Sequence, residues 1–401
     1  MYRLIAIIIL SIGFSEIVKS QEITYNYIDS MSYHQYLQGE WDHVLQTGKI
    51  AEKSAIYFPL LYMRMGYAAF MKGNYSLSLK HYNKALKFNS YNQDALYYIA
   101  YNNTLLLRKG TAIFGSKNLS NELKTQLKIN SKQFIDQIDI ETSIKPTNTE
   151  LRETGQYYRA GFGNRINYRW KLYQSFATYR QNMLANDSAR TFGRPGLIRE
   201  ETFRTYLVND FQYYIKSELF LNSKISLINA LHFTKTNFDD ATYKTAIFNC
   251  GLKLTEAYAD YKLEINAGSM LDSLLTQVAI SSTYYPFGNL KFYGNSRLSY
   301  QNRTNLSQLN YTQMFGFKLH QKVWFETHAT FGQIKNLIDN ESLYIYDALD
   351  KGKYRIGASL LIPFTTKFSL LTNYYFEQKK LYLQNTNYHL HSFSIGISWK
   401  L

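Results

Sequence analysis

The sequence predicts an α+β chain in two unequal parts: a helical region over residues 22–110, then an antiparallel transmembrane β-barrel over 134–401 with about fourteen strands, possible alternative twelve. Three observations carry this expectation. The chain of 401 residues holds 37 Tyr and 25 Phe but only five Pro, a composition that favours pleated strands. The spacing of apolar residues changes along the chain, from a helical period before Gly110 to strict alternation after Phe134. The alternating segments are also long, about 12 to 16 residues. A globular strand usually has about five or six residues, whereas a tilted bilayer crossing takes about 9 to 11.

Composition narrows the function classes. A charged fraction of 19% beside 45% apolar residues belongs to a folded chain, not a disordered one. The single Cys250 excludes a disulfide framework, a cysteine zinc site and a lipid-anchoring cysteine near a cleavage point. A net charge of +15 raises nucleic acid as a partner, but the first residues point elsewhere. Met1-Tyr2-Arg3 is a short basic start, Leu4 to Phe14 is an apolar run of 11 residues, and Val18-Lys19-Ser20 ends in a small residue. That layout reads as a secretory signal peptide over 1–20, with Gln21 as the mature start. The run is shorter than the roughly 20 residues a stable spanning helix needs, which weighs against the alternative of an uncleaved anchor. An exported chain has no nucleic-acid partner.

Within the helical region, Gly39 and Gly73 lie 34 residues apart, as do Trp41 and Tyr75, and Ala51 and Ala85. Small residues let antiparallel helices approach, and aromatics fill the groove between neighbouring pairs. In the segment from Pro59 to Asn92, Gly66 sits where the first helix packs, Gly73 makes the turn, Tyr75 opens the second helix, and Ser78, Tyr82 and Ala85 form its packing face. This pattern resembles the tetratricopeptide repeat, with Ser78 and Ser90 departing from the family's Ala and Pro. The earlier copy puts Gly48 where a large residue is expected, and a third begins at Asn92 and fades by Gly110. A generic helical hairpin bundle is the alternative. The resemblance implies a module that docks a protein or polymer. Residues 111–133 are expected to be a linker, or one extra helix within Leu119 to Gln133.

The strands are expected at 134–146, 155–168, 170–183, 200–219, 223–237, 241–255, 258–270, 272–286, 289–301, 305–320, 321–334, 343–362, 366–379 and 386–401. The first is the weakest, because Asp136, Asp139 and Glu141 interrupt its apolar face. The last is the clearest: Phe393, Ile395, Ile397, Trp399 and Leu401 share one face. It resembles the C-terminal assembly strand of bacterial outer-membrane barrels, which implies recognition by the barrel-assembly machinery; here Leu401 is terminal, where that family usually has Phe or Trp. A soluble sandwich is the alternative reading of such alternation. Against it stand paired charges on the polar faces and aromatics crowding strand ends, the marks of a hydrated lumen and interfacial girdles. Candidate lumen residues are Arg159, Arg165, Lys216, Glu218, Lys262, Glu264, Glu326, His328 and Arg355. With Lys318, the cations hint at anion preference in an open pore. Asn222-Ser223, His320-Gln321 and Pro363 to Thr366 read as tight turns on the periplasmic side, and Leu184 to Arg199 and Lys335 to Ser342 as outside loops. Positive loop residues Arg190, Arg194 and Arg199 suit contact with lipopolysaccharide.

Catalysis has one candidate constellation, Trp324, Glu326 and His328 on one strand face. Side chains two apart stand about 7 Å from one another, and no nucleophile is evident beyond guesses at Ser369 or Ser394. No cofactor is implied. His389 and His391 share a face that points outward, without a third metal ligand. The order signal peptide, repeats, barrel resembles YaiO-type proteins and exopolysaccharide exporters. That implies a non-enzymatic outer-membrane protein with a periplasmic repeat domain, assisting transport or envelope assembly. The alternative is an outer-membrane enzyme acting on lipid or glycan from the lumen.

Overall fold

The computed structural model describes residues 23–186, 203–239, 241–270, 273–303, 306–346, 350–382 and 386–401. The signal-peptide reading of 1–20 and the loop arginines Arg190, Arg194 and Arg199 lie outside these residues.

Among the described residues, seven α-helices come first: α1 (Tyr25–Leu37), α2 (Trp41–Lys53), α3 (Pro59–Met71), α4 (Tyr75–Leu86), α5 (Gln93–Leu105), α6 (Lys109–Gly115) and α7 (Asn121–Gln126). Their starts are fixed by polar caps. Thr24, Asn74, Asn92 and Ser120 each accept a hydrogen bond from a backbone N–H three residues on, satisfying donors the helix itself leaves free. Trp41, Tyr75 and Lys109 open the second helix of three successive pairs, 34 residues apart each time. The turn before each holds a left-handed residue: Gly39 (φ 71°), Gly73 (φ 70°) and Leu107 (φ 58°). The third copy therefore runs on to Gly115 instead of fading at Gly110. It is hard to see in the sequence because Leu stands where glycine marks the other two turns. Gly48 is also explained: a Cβ there would lie 2.3 Å from the Met65 Sδ, so α3 packs its methionine into that gap. Ser78 replaces the small apolar residue because its hydroxyl donates to the Gly66 carbonyl (2.8 Å) and accepts from the Asn102 amide (2.8 Å). The expected extra helix shrinks to the short α7.

Fourteen strands then close into one antiparallel barrel: β1 (Gln133–Lys145), β2 (Gly155–Arg165), β3 (Trp170–Asn186), β4 (Phe203–Phe220), β5 (Ile225–Phe238), β6 (Ala241–Thr255), β7 (Ala259–Met270), β8 (Ser273–Tyr284), β9 (Phe292–Arg303), β10 (Leu306–His320), β11 (Val323–Ile334), β14 (Lys351–Pro363), β15 (Phe368–Lys380) and β16 (Asn387–Lys400). Between β11 and β14, β12 (Ile338–Asp339) and β13 (Tyr344–Ile345) form a separate hairpin. β1 pairs with β16 from Gln137↔Lys400 to Ile144↔Phe393, so the first and last strands close the ring and no edge is left open. The acidic residues of β1 belong there: Asp136 is fully buried near Arg165 (3.6 Å) and Lys171 (3.7 Å), and Glu141 takes Arg159 at 2.7 Å.

Alternation sorts the wall into two faces. Ile140, Phe211, Phe248, Leu263, Ile280, Leu298, Ile356 and Ile395 stand exposed on the outside. Ser175, Thr245, Asn249, Asn266, Gln277, Ser299, Gln301 and Asn310 are buried inside. An apolar exterior round a polar interior is the inverse of a soluble fold and suits a wall set in hydrocarbon. The helices meet one end of this barrel, at the turns that include Asn222-Ser223, Tyr258 and Gly288. The 335–346 segment leaves from the opposite end, but it does not stay outside.

Candidate functional site

The expectation of an outside loop over Lys335 to Ser342 is overturned: this segment turns inward and fills the lumen, and the strand expected to begin at 343 begins at Lys351. What pulls it in is a set of polar lumen side chains that replace the partner strand the hairpin lacks. The Gln277 side-chain amide donates to the Ile338 carbonyl (2.7 Å) and its oxygen accepts from the Ile338 N–H (3.1 Å). Gln301 donates to the Asn336 carbonyl at 2.7 Å, the His232 ring nitrogen Nδ1 lies 2.6 Å from the Ser342 carbonyl, and the Ser342 hydroxyl donates to Asn266 at 2.7 Å. Two apolar anchors supplement this. Ile338 is fully buried with Ile247, Met270 and Leu275, and Leu343 packs on Tyr173, Tyr214 and Ala230. The seam round Leu343, bounded by Tyr157, Arg159, Ser175, Tyr214 and His232, leaves no room for a water molecule.

The tip of the hairpin carries charge and strain together. Glu341 accepts from Lys262 (2.7 Å) and Lys216 (3.2 Å), and its carbonyl accepts from the Tyr214 hydroxyl (3.0 Å). Asp339 lies 3.1 Å from Arg297, which also pairs with Glu264. Asn340 (φ 49°), Glu341 (φ 54°) and Ser342 (φ 67°) are three consecutive left-handed residues, none of them glycine. Such a run persists only where surrounding contacts over-determine it.

The residues singled out from sequence fall as follows. Arg159, Arg165, Lys216, Glu218, Lys262, Glu264, Glu326, His328 and Arg355 all lie on inward positions, but as separate pairs and not as one site. Lys216, Lys262 and Glu264 surround the hairpin tip. Glu218 accepts from Ser226 (3.3 Å) on the helix side. Arg355 pairs with Glu377 at 3.3 Å and lies over the Tyr375 ring. Lys318 lies over the Trp324 ring. What sequence reasoning missed is Glu341, whose partners on β4 and β7 are more than seventy residues away and carry no local signal.

Glu326 and His328 meet a partner from a neighbouring strand. The His328 Nε2 lies 3.0 Å from the Ser359 hydroxyl and 3.6 Å from Glu326, whose other oxygen accepts from the Tyr293 hydroxyl at 2.6 Å. Serine and carboxylate approach the same ring nitrogen, whereas a proton relay needs them on opposite nitrogens. His389 and His391 face outward, where both rings pack on Phe376.

At the other mouth the helices are docked by specific contacts. Buried Arg108 pairs with Asp260 of β7 (3.1 Å) and lies over the Tyr285 ring, whose hydroxyl donates to the same carboxylate (3.0 Å). The adjacent Lys109 reaches Asp136 of β1 (3.9 Å), six strands away round the ring. Gly110 abuts Phe220 of β4 and Phe114 stacks on it, so α6 lies across the mouth. The Ser76 N–H donates to the Gly288 carbonyl (3.0 Å) and Asn289 to the Gly73 carbonyl (2.9 Å). The barrel is thus stoppered from one end by its own hairpin and covered at the other by its own helices.

No protein-family model matches the chain, and no curated protein matches it in sequence. Solved barrels are similar in fold. The toluene transporter TodX of Pseudomonas putida shares 6% identity, covering 68% of this chain and 90% of its own, with a TM-score of 0.48. CdiB from Acinetobacter baumannii shares 12%, covering 68% and 61%, at 0.36. The translocator domain of the autotransporter NalP from Neisseria meningitidis shares 8%, covering 74% and 99%, at 0.31. At these values the likeness is of barrel to barrel, and function has to be argued from this chain's own residues.

Proposed function

We propose that the chain is a non-enzymatic outer-membrane barrel, held closed by its own hairpin, whose periplasmic helical region docks a protein or polymer and assists transport or envelope assembly. One observation carries this reading: the lumen is polar and is occupied by a segment held mainly through hydrogen bonds and ion pairs. A spanning barrel is polar inside in any case; what is particular here is that a separate chain segment, and not wall side chains alone, fills the lumen. Polar tethers exchange with water at modest net cost, so a stopper held this way is suited to leave. The apolar exterior supports contact with outer-membrane lipid and lipopolysaccharide. The exposed face of Phe393, Ile395 and Ile397 beside the closing seam supports delivery by the barrel-assembly machinery.

The docking role of the helices rests on their resemblance to tetratricopeptide repeats. It is supported by Tyr33, Tyr67 and Tyr101, one ring per pair at 34-residue intervals on α1, α3 and α5. Tyr67 makes edge contacts with Tyr36, Trp41 and Tyr98, which extends the aromatic row between pairs. The alternative, an enzyme acting on lipid or glycan, has Ser359, His328 and Glu326 as its best site, but with both partners on one ring nitrogen that site lacks a relay.

The test is conductance in planar bilayers. The intact protein is expected to stay closed, and a variant with residues 336–346 replaced by a short Gly-Ser linker to show discrete current steps. A correctly folded deletion variant that stays silent even when Arg108→Ala loosens the helices from the other mouth refutes the transport role.

A further inference from the structure

Outside the lumen, the ladder breaks between β11 and β14 beside a cleft of about 530 Å³ in the barrel wall. β11 and β14 pair residue for residue from Trp324↔Leu361 to Phe331↔Tyr354, but the next pair is Ile334↔Gly352. Gly332 and Gln333 thus oppose Lys353 alone. On the other edge of β14, Gly352 pairs with Lys379 and Tyr354 with Gln378, so Lys353 is an extra residue in that ladder too. A bulge of this kind bends the strand and re-aims its side chain. The sequence requires it: Gly332 has φ 124°, and a Cβ there would lie 2.3 Å from the Leu309 carbonyl oxygen.

The cavity mouth is on the outer surface, because two of its lining residues, Leu309 and Phe331, are outward-facing and 59% and 50% exposed. It lies beside the ends of β10 and β11 farthest from the helices, the level at which lipid headgroups meet the wall of a spanning barrel. Tyr354 also lines it, and Ser307 at its rim accepts a hydrogen bond from the Tyr300 hydroxyl (3.1 Å). The one charged lining residue is Lys353. Nearby Arg355 and Lys379 share the carboxylate of Glu377 (3.3 and 3.6 Å), whereas Lys353 is exposed and has no ion pair among the described residues. The volume is within the range of small-molecule clefts, about 300 to 1,000 Å³.

We propose that this cleft between β10, β11 and β14 is a binding site for one anionic lipid of the outer leaflet, its phosphate on Lys353 and the start of an acyl chain against Leu309 and Phe331, with phosphatidylglycerol as the probe. Charge complementarity selects the class: an ammonium with no ion pair among the described residues, above an apolar wall, fits an amphiphile whose phosphate headgroup is net negative and gains less from one whose phosphate is balanced by its own cation. The inference rests on the wall being set in a bilayer, and on nothing about transport.

The test is native mass spectrometry of the full chain released from a non-ionic detergent, titrated with dioleoylphosphatidylglycerol or dioleoylphosphatidylcholine. The wild type is expected to retain one phosphatidylglycerol, at least fivefold in preference to phosphatidylcholine and undisplaced by millimolar inorganic phosphate. Lys353→Gln should cut that adduct at least fivefold and Lys353→Arg should restore it, with the barrel's heat-modifiable gel mobility unchanged. Equal retention of the two lipids, displacement by phosphate alone, or an unaffected Lys353→Gln adduct overturns the site. Should the variant not fold, a photoreactive phosphatidylglycerol on the wild type decides: label on the peptides holding Phe331–Gln333 or Lys353 supports it, and label elsewhere overturns it. A chain that stays monodisperse without detergent would instead refute the membrane reading beneath it.

Discussion

Replacing Glu341 with Gln isolates what holds the hairpin in the lumen. The side chain keeps its size, and one oxygen still accepts a hydrogen bond, but the negative charge between Lys262 (2.7 Å) and Lys216 (3.2 Å) is lost. Lys262 retains Glu264 at 3.1 Å, so the damage falls mostly on Lys216. Breaking a buried ion pair by removing one partner costs about 3 to 5 kcal/mol. Because the amide keeps part of the contact and Lys262 keeps a carboxylate, the lower end applies, about 3 kcal/mol. At 1.4 kcal/mol per factor of ten, the docked hairpin should open roughly 100-fold more often. Native-state hydrogen exchange reads this directly. The N–H groups of Asn336 and Tyr346, which bond to the Tyr346 and Leu337 carbonyls, and that of Ile338, held by Gln277, should exchange about 100-fold faster. Amides in the β5–β6 and β15–β16 ladders should not change. The reasoning fails if hairpin and wall amides respond alike, or if the hairpin amides keep wild-type protection.

Other outcomes follow from the helices and their seat. Leu107→Gly removes a left-handed, β-carbon-bearing residue from an exposed turn (φ 58°), and should raise helical-region stability by about 1 kcal/mol in thermal melts; a lower midpoint contradicts the strain argument. His81 is buried against Tyr62, and burial lowers its pKa to about 4, with Lys84, Lys80 and Lys49 adding to the effect and Glu52 opposing it. The unfolded chain therefore binds the proton more readily. Stability that is full above pH 6.5 falls as pH drops from 6.5 toward 4, by on the order of 3 kcal/mol. His81→Phe should flatten that dependence in melts from pH 7 to pH 4, and an equally steep profile rules His81 out as its source. Arg108→Ala leaves Asp260 buried without its partner at 3.1 Å, so the helix–barrel seam should weaken by about 3 kcal/mol. Hydrogen exchange of the Ser76 N–H, which donates to the Gly288 carbonyl, should then speed up, and unchanged exchange would show that other contacts hold the seat.

Much of the architecture was legible because it repeats. Strict alternation over a dozen or more residues specifies a strand with two unlike faces, and it placed Glu326 and His328, or Phe393 and Ile395, on the correct sides without any knowledge of neighbours. The glycine–aromatic–alanine spacing of 34 likewise gave the first two helix pairs, since each signal sits within one turn of the element it marks. The segment from Lys335 to Tyr346 misled for the same reason. Polar residues between two strands look like a surface loop, and nothing local shows that Gln277, Gln301 and His232 wait inside to satisfy its backbone. Leu107 hid the third turn by doing with strain what glycine does freely.

The amino-acid order alone thus determined the first two helical pairs, a barrel of about fourteen strands and the alternation of its two faces, because periodicity and turn chemistry act over a few residues. Only the closed tertiary structure decided that the interior is occupied, that Glu341 is held between β4 and β7, that Ser359 reaches His328 and that α6 lies across the mouth. Those contacts join residues far apart in the chain. They exist only once β1 meets β16 and the ring brings opposite walls within reach of one hairpin.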